Sequence, residues 1–178
     1  GDLETPTLTT TGVGYNLELL GSTTSVSSAT EFLNTGYLKL GNGSSVVVVN
    51  GVSNAVVDTL TFAGGLNATA PSSISLGGVV KTTGTAMTLG DSDTPLTLND
   101  SLTLNTAGGA LSIGGAVNGA ALNTQSLTLD AGTSGVVEVK GSVGQSKSLS
   151  TLTLVNSHGA TFSQAVKADT EVVLTNTL

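Results

Sequence analysis

Leu102-Thr103-Leu104 returns as Leu127-Thr128-Leu129 and again as Leu152-Thr153-Leu154, at a constant interval of 25 residues (127 − 102 and 152 − 127). Between these tripeptides a second apolar-x-apolar unit keeps nearly the same phase, Leu111-Ser112-Ile113 and then Val137-Glu138-Val139. A third follows it in Gly115-Ala116-Val117 and Gly141-Ser142-Val143. Each repeat thus reads as three short strands. A fixed period of roughly 20–50 residues marks a solenoid, in which no unit buries its apolar face alone and each must stack on its neighbours. Alternation along a strand sends both leucines of each tripeptide to one side and the threonine to the other. The stack predicts an inner ladder of Leu102, Leu104, Leu127, Leu129, Leu152 and Leu154, and an outer column of Thr103, Thr128 and Thr153.

Outside the tripeptides, short period-2 runs continue from Leu17 to Leu174, and no stretch of ten residues shows the 3.6-residue period of an amphipathic helix. The candidate strands include Tyr37 to Leu40, Val46 to Val49, Ala55 to Val57, Leu60 to Phe62, Ile74 to Leu76, Met87 to Leu89 and Leu96 to Leu98. Gly41-Asn42-Gly43, Gly64-Gly65, Gly77-Gly78, Gly108-Gly109 and Gly114-Gly115 fall between them as turns. The chain reads as one β-solenoid domain over 1–178, with 1–30 less regular and readable as a cap or an arm. About seven coils of three strands would stack into a rod on the order of 30–35 Å long at the spacing of paired strands. A β-sandwich is the alternative; it would put Leu102, Leu127 and Leu152 on strands that are not neighbours.

Composition fits many short buried strands. The mean hydropathy of +0.30 is high, yet only 10% of the residues are charged and 3% are aromatic, while Gly numbers 24. A disordered chain is highly charged and poor in apolar residues, and this one is neither. Its longest aliphatic run, Val46 to Val49, is far too short to span a bilayer, so no membrane insertion is expected. Five lysines and no arginine against twelve acidic residues give a net charge of −7, which argues against nucleic acid as a partner because phosphate binding needs clustered cations. With no cysteine there is neither a disulfide framework nor a thiolate metal site.

Phe32-Leu33-Asn34-Thr35-Gly36-Tyr37-Leu38-Lys39-Leu40-Gly41-Asn42-Gly43 resembles the asparagine, glycine and leucine-x-leucine-glycine unit of autotransporter passenger domains. Leu60 to Thr177 resembles the repeats of large bacterial surface proteins related to filamentous haemagglutinin, through Gly135-Val136-Val137-Glu138-Val139-Lys140-Gly141-Ser142-Val143 and Ser150 to Leu154. The resemblance implies a right-handed parallel β-helix and an exported, extended protein of the cell surface or matrix. It further implies a surface glycan or a host or cell surface as the thing touched. Neither an integrin-type tripeptide nor a translocator barrel is present in the sequence.

Chemistry-bearing residues are sparse. Asp91-Ser92-Asp93, with Asp100 a little further on, is the densest acidic cluster, and an Asp-x-Asp turn can lend two oxygens to a hard cation. The glycine-rich nonapeptide of calcium β-rolls is missing, so these aspartates read first as turn formers. No cofactor is expected. His158, the one histidine, lies in the turn Asn156-Ser157-His158-Gly159 and reads as a solvated loop residue. A polysaccharide-degrading β-helix would need clustered carboxylates, and an ice-binding face would need a two-dimensional threonine array in place of one column. Asn42-Gly43-Ser44, Asn67-Ala68-Thr69 and Asn99-Asp100-Ser101 match the N-glycosylation pattern at a frequency that chance explains in so polar a chain.

Gly1-Asp2-Leu3-Glu4 carries no leader pattern, which fits a mature, trimmed or excised chain. Glu171 to Leu178 still reads as repeat, and a solenoid end exposes unpaired backbone unless something covers it. The expectation is a non-enzymatic, extracellular structural or adhesive segment. Its alternative is a filament subunit joined by coil stacking or strand donation between copies, and a carbohydrate-active β-helix enzyme is a third reading.

Overall fold

The computed structural model describes residues 1–50 and 52–178. Among these there is no helix: the chain is a right-handed parallel β-helix of about seven turns. Each turn has three faces. The first carries Leu3–Thr5, Thr23–Val26, Thr59–Phe62, the second halves of Ser73–Lys81 and Leu96–Asn105, then Leu127–Asp130, Leu149–Asn156 and Ala168–Leu174, all parallel. The second carries Thr30–Glu31, Leu66–Ala68, Met87–Leu89, Leu111–Ile113, Val137–Val139 and Ala160–Phe162. The third carries Leu17–Leu19, Tyr37–Leu40, the first halves of Ser73–Lys81 and Leu96–Asn105, then Val117–Gly119, and it dwindles to single bridges at Val143 and Val166. Ser73–Lys81 and Leu96–Asn105 round a corner without a break, so the first and third faces are hydrogen-bonded as one sheet.

The expected ladder is explicit in the register. Leu102, Leu127 and Leu152 are direct partners, as are Leu104, Leu129 and Leu154, with Thr103, Thr128 and Thr153 between them. The six leucines are buried and the three threonines half-buried, as alternation requires. Similar alternation on the other faces sends Leu38, Leu40, Ile74, Leu76, Met87, Leu89, Leu111 and Ile113 into one continuous core. Near its N-terminal end Phe32 and Phe62 meet edge to face, with ring centroids 5.7 Å apart.

The coil length is less constant than the tripeptides imply. Successive partners on the first face are Leu3, Thr24, Leu60, Val80, Leu104, Leu129, Leu154 and Leu174, separated by 21, 36, 20, 24, 25, 25 and 20 residues. The shortest coils have minimal corners. The interval of 36 contains an antiparallel ribbon, Ser44–Val49 paired with Val52–Val57, inserted between the third and first faces. The valine runs at 46–49 and 55–57 are therefore strands, but strands of this ribbon and not of the coil. Within residues 1–30, Leu3–Thr5 and Leu17–Leu19 pair in parallel with the next coil. The Thr10 hydroxyl ties the same coils together, donating to the Glu31 carbonyl at 2.9 Å and accepting from the Leu33 N–H at 2.7 Å.

Candidate functional site

Polar side chains at the corners link neighbouring coils. Where the first face turns toward the second, the Asn105 amide donates to one oxygen of Asp130 at 3.0 Å and the Asn156 amide to the other at 3.2 Å. Asn176 then donates to the Asn156 side-chain oxygen at 3.3 Å. Four successive coils are thereby linked by one ladder of side-chain hydrogen bonds. The adjacent inward position is held by Thr82, Thr106, Ala131 and Ser157, all buried. The Thr82 and Thr106 hydroxyls close their own turns by donating to the carbonyls of Thr85 (2.6 Å) and Gly109 (2.5 Å). Buried hydroxyls need such partners. The sequence does hold a signal for the ladder, since Asn105 and Asp130 each follow a leucine-threonine-leucine unit. A register shift between Leu129 and Asp130 moves the next member to Asn156, which hides the regularity.

Asp91, Asp93 and Asp100 do not converge. Asp91 accepts from the Asp93 N–H at 3.0 Å and from the Thr94 hydroxyl at 2.7 Å, closing the turn that joins the second face to the third. The Thr94 hydroxyl beside Asp91, and then the Asp93 N–H, hold its carboxyl below the usual 3.8. Asp100 sits at a different corner, between the third and first faces, and accepts from the Ser44 N–H (3.2 Å) and hydroxyl (3.3 Å) and from the Ser101 N–H (2.7 Å). Among the described residues no group of three or more His, Asp or Glu side chains is placed to hold a metal ion. His158 lies at the next corner of the ladder's edge, with its backbone N–H donated to the Gly135 carbonyl at 2.7 Å.

The threonine column is bounded. In register with Thr103, Thr128 and Thr153 lie Val79 and Thr59 on one side and Val173 on the other. The neighbouring outward positions are Lys81, Asn105 and Asp130, so the face is a narrow hydroxyl stripe beside amides and charges. Thr61 belongs to that neighbouring column, Thr88 to the second face and Thr97 to the third.

Two shallow grooves run along the second face. One, of about 680 Å³, is lined by Thr30, Glu31, Asn67, Thr69 and Thr88 among others. The other, of about 620 Å³, shares Thr69 and Thr88 and continues past Asp91, Ser92, Ser112, Lys140, Ser142 and Gln164. Both offer hydroxyls, amides and a few charges to a polar ligand, and neither is lined by an aromatic ring. At the C-terminal end of the stack an apolar hollow of about 320 Å³ is walled by Leu152, Leu154, Phe162, Val166 and Leu174. There Val172, Leu174 and Leu178 are 51%, 64% and 86% exposed, although the residues beneath Val172 and Leu174 are buried leucines. No family model, curated protein or solved structure matches this chain.

Proposed function

We propose that the chain is a non-enzymatic structural and adhesive segment of an exported bacterial surface or matrix protein, of the filamentous-haemagglutinin or autotransporter-passenger kind, acting as a stiff spacer whose sides touch surface glycans. The observation that carries this reading is the unbroken first-face ladder from Leu3 to Leu174, with buried leucines stacked from Leu102 through Leu154. Such a core gives length and rigidity without disulfides, which suits an exposed life. The polar groups support the same reading, because Asp91, Asp100 and Asp130 are each engaged in holding a corner. The hydroxyl-lined grooves of the second face offer weak, repeated hydrogen bonding of the sort a polyhydroxylated polymer can use.

Two measurements test it. Antibodies raised against the chain should label intact cells of its source without permeabilisation; labelling that appears only after lysis contradicts an extracellular role. Incubation with neutral and uronic-acid polysaccharides should release no fragments. Depolymerisation that disappears in Asp91→Ala and Asp93→Ala would establish the enzymatic reading instead.

A second reading is a subunit that extends by coil stacking on the rung that carries Val172 and Leu174, which are apolar and exposed. A further coil laid on that rung would continue the ladder, whether it came from the same chain or another copy. Fibres that lengthen with protein concentration under the electron microscope support it, and their suppression by Leu174→Glu would locate the contact.

A further inference from the structure

The ribbon Ser44–Val57 is not needed to close a coil. Without its 14 residues the interval of 36 between Thr24 and Leu60 becomes 22 (36 − 14), an ordinary turn of this solenoid. It is nonetheless held firmly at its base. The buried Asp58 accepts the Asn42 N–H at 2.9 Å and donates its own N–H to the Gly43 carbonyl at 2.8 Å, while Asp100 from the following coils accepts the Ser44 N–H and hydroxyl. Two carboxylates thus anchor the ribbon at its base. Beyond that base its strands pair only with each other among the described residues, and Asn50, Ser53 and Ala55 are exposed.

An open β-edge is a template for another strand, and proteins normally blunt it with lysine, proline, a bulge or a covering element. This ribbon has none of the first three. From Gly43 to Val57 there is no charged residue and no proline, and the register runs without a shift from Ser44 opposite Val57 to Val49 opposite Val52. Ser44 turns its N–H outward to Asp100, so alternation along the antiparallel pair turns the N–H and C=O groups of Val57, Ala55 and Ser53 outward too. Valine fills seven of these fifteen positions, the composition of segments that pair with their own kind.

The charge distribution selects the partner. Two copies of a chain carrying −7 repel, and every charge lies outside this segment. A six-residue strand reaches about 20 Å, beyond the screening length of about 8 Å at physiological salt. The ribbon is therefore an uncharged element through which two such bodies can meet with their charges screened from each other. We infer that Ser44–Val57 is a self-pairing arm, through which two copies of this chain join edge to edge along Val52–Val57, across a two-fold axis, into a four-stranded antiparallel sheet. Such an edge forms only a handful of backbone bonds and buries far less than the roughly 1,600 Å² of a standard interface, so the pairing is weak. This site is separate from the grooves and the C-terminal rung, and it stands whether or not the surface-protein reading does.

Sedimentation velocity from micromolar to millimolar protein tests it on the intact chain, Ala55→Lys, Ala55→Pro, and a variant with residues 45–56 replaced by two glycines. The intact chain should self-associate, more strongly as salt is raised. Each variant should weaken that association by about tenfold or more, because a charge, a lost outward donor or a missing edge all prevent pairing. Ala55 is exposed and off the core, so the unfolding midpoint should not move. A chain that stays monomeric at millimolar concentration overturns the inference, as does association that survives all three variants. Loss of association in Leu174→Glu alone, with the ribbon intact, also overturns it and assigns the contact to the end of the stack.

Discussion

Asn105 donates its side-chain amide to Asp130 across one coil at 3.0 Å, and Asp130 also accepts from Asn156 on the opposite side at 3.2 Å and from the Gly132 N–H at 3.0 Å. One carboxylate therefore fastens three coils at the same corner.

Removing it should loosen all three. Asp130→Ala is expected to cost about 1.5–3 kcal/mol, the range for hydrogen bonds to a charged group. Asp130→Asn keeps a carbonyl acceptor and should cost less. Urea unfolding followed by circular dichroism distinguishes them; equal loss in both variants would mean that charge, and not the ladder, matters at this corner.

The two sides of a strand should respond unequally. Leu129 is fully buried in the middle of the core, and Leu129→Ala should destabilise by about 2–5 kcal/mol through lost transfer energy and the cavity left behind. Thr128→Ala, the adjacent outward position, should stay within about 0.5 kcal/mol. Denaturant midpoints of the two variants give the comparison.

Close stacking at corners predicts a glycine requirement that is steric. A Cβ at Gly115 would overlap the backbone carbonyl of Thr94 in the neighbouring coil, whereas one at Gly12 meets nothing nearer than 3.9 Å. Gly115→Ala should cost about 1–3 kcal/mol or more as an overpacked contact, and Gly12→Ala should be nearly silent. Thermal melts of both proteins report the difference.

Two groups carry pH dependence of opposite sign. Asp91 is held below 3.8 by the Thr94 hydroxyl and the Asp93 N–H, so its contribution to stability is present above pH 3.8 and is lost as pH falls through the lowered value. Tyr37 donates to Glu18 at 2.5 Å, and that bond pushes its phenol above 10.0, so its contribution is present below pH 10.0 and is lost as pH rises through the raised value. Carboxyl resonances should show Asp91 titrating nearer 3.8 in Thr94→Val. Ultraviolet absorbance should show Tyr37 ionising at lower pH in Glu18→Gln. Unchanged titration in either variant would contradict the assigned partner.

Sequence periodicity exposed the solenoid where inward positions are leucines at equal spacing, as at Leu104, Leu129 and Leu154. It failed where the inward residue is polar: Thr24 and Thr30 are buried, in register with Leu60 and Leu66, so the strands Thr23–Val26 and Thr30–Glu31 carry no readable alternation. Corner length varies independently of the core, and that variation concealed the coils of 20 and 21 residues. The ribbon was legible in principle, because two valine-rich runs separated by Asn50-Gly51 form a hairpin signature. Valine content alone could not say whether those runs join the coil or leave it. Asp91 and Asp100 lie nine residues apart in sequence (100 − 91), yet they occupy different corners because one strand of the third face intervenes.

Parallel, in-register stacking of successive coils underlies every one of these expectations, and the absence of native cysteine allows it to be measured directly. Paired cysteines should cross-link in Thr103→Cys/Thr128→Cys and in Thr128→Cys/Thr153→Cys, since register partners lie about 4.8 Å apart, within reach of a disulfide. Thr103→Cys/Thr153→Cys, separated by two rungs at about 9.6 Å, should not. Rapid oxidation of both adjacent pairs with none of the distal pair is the predicted result; cross-linking of the distal pair, or failure of the adjacent ones, would contradict the solenoid.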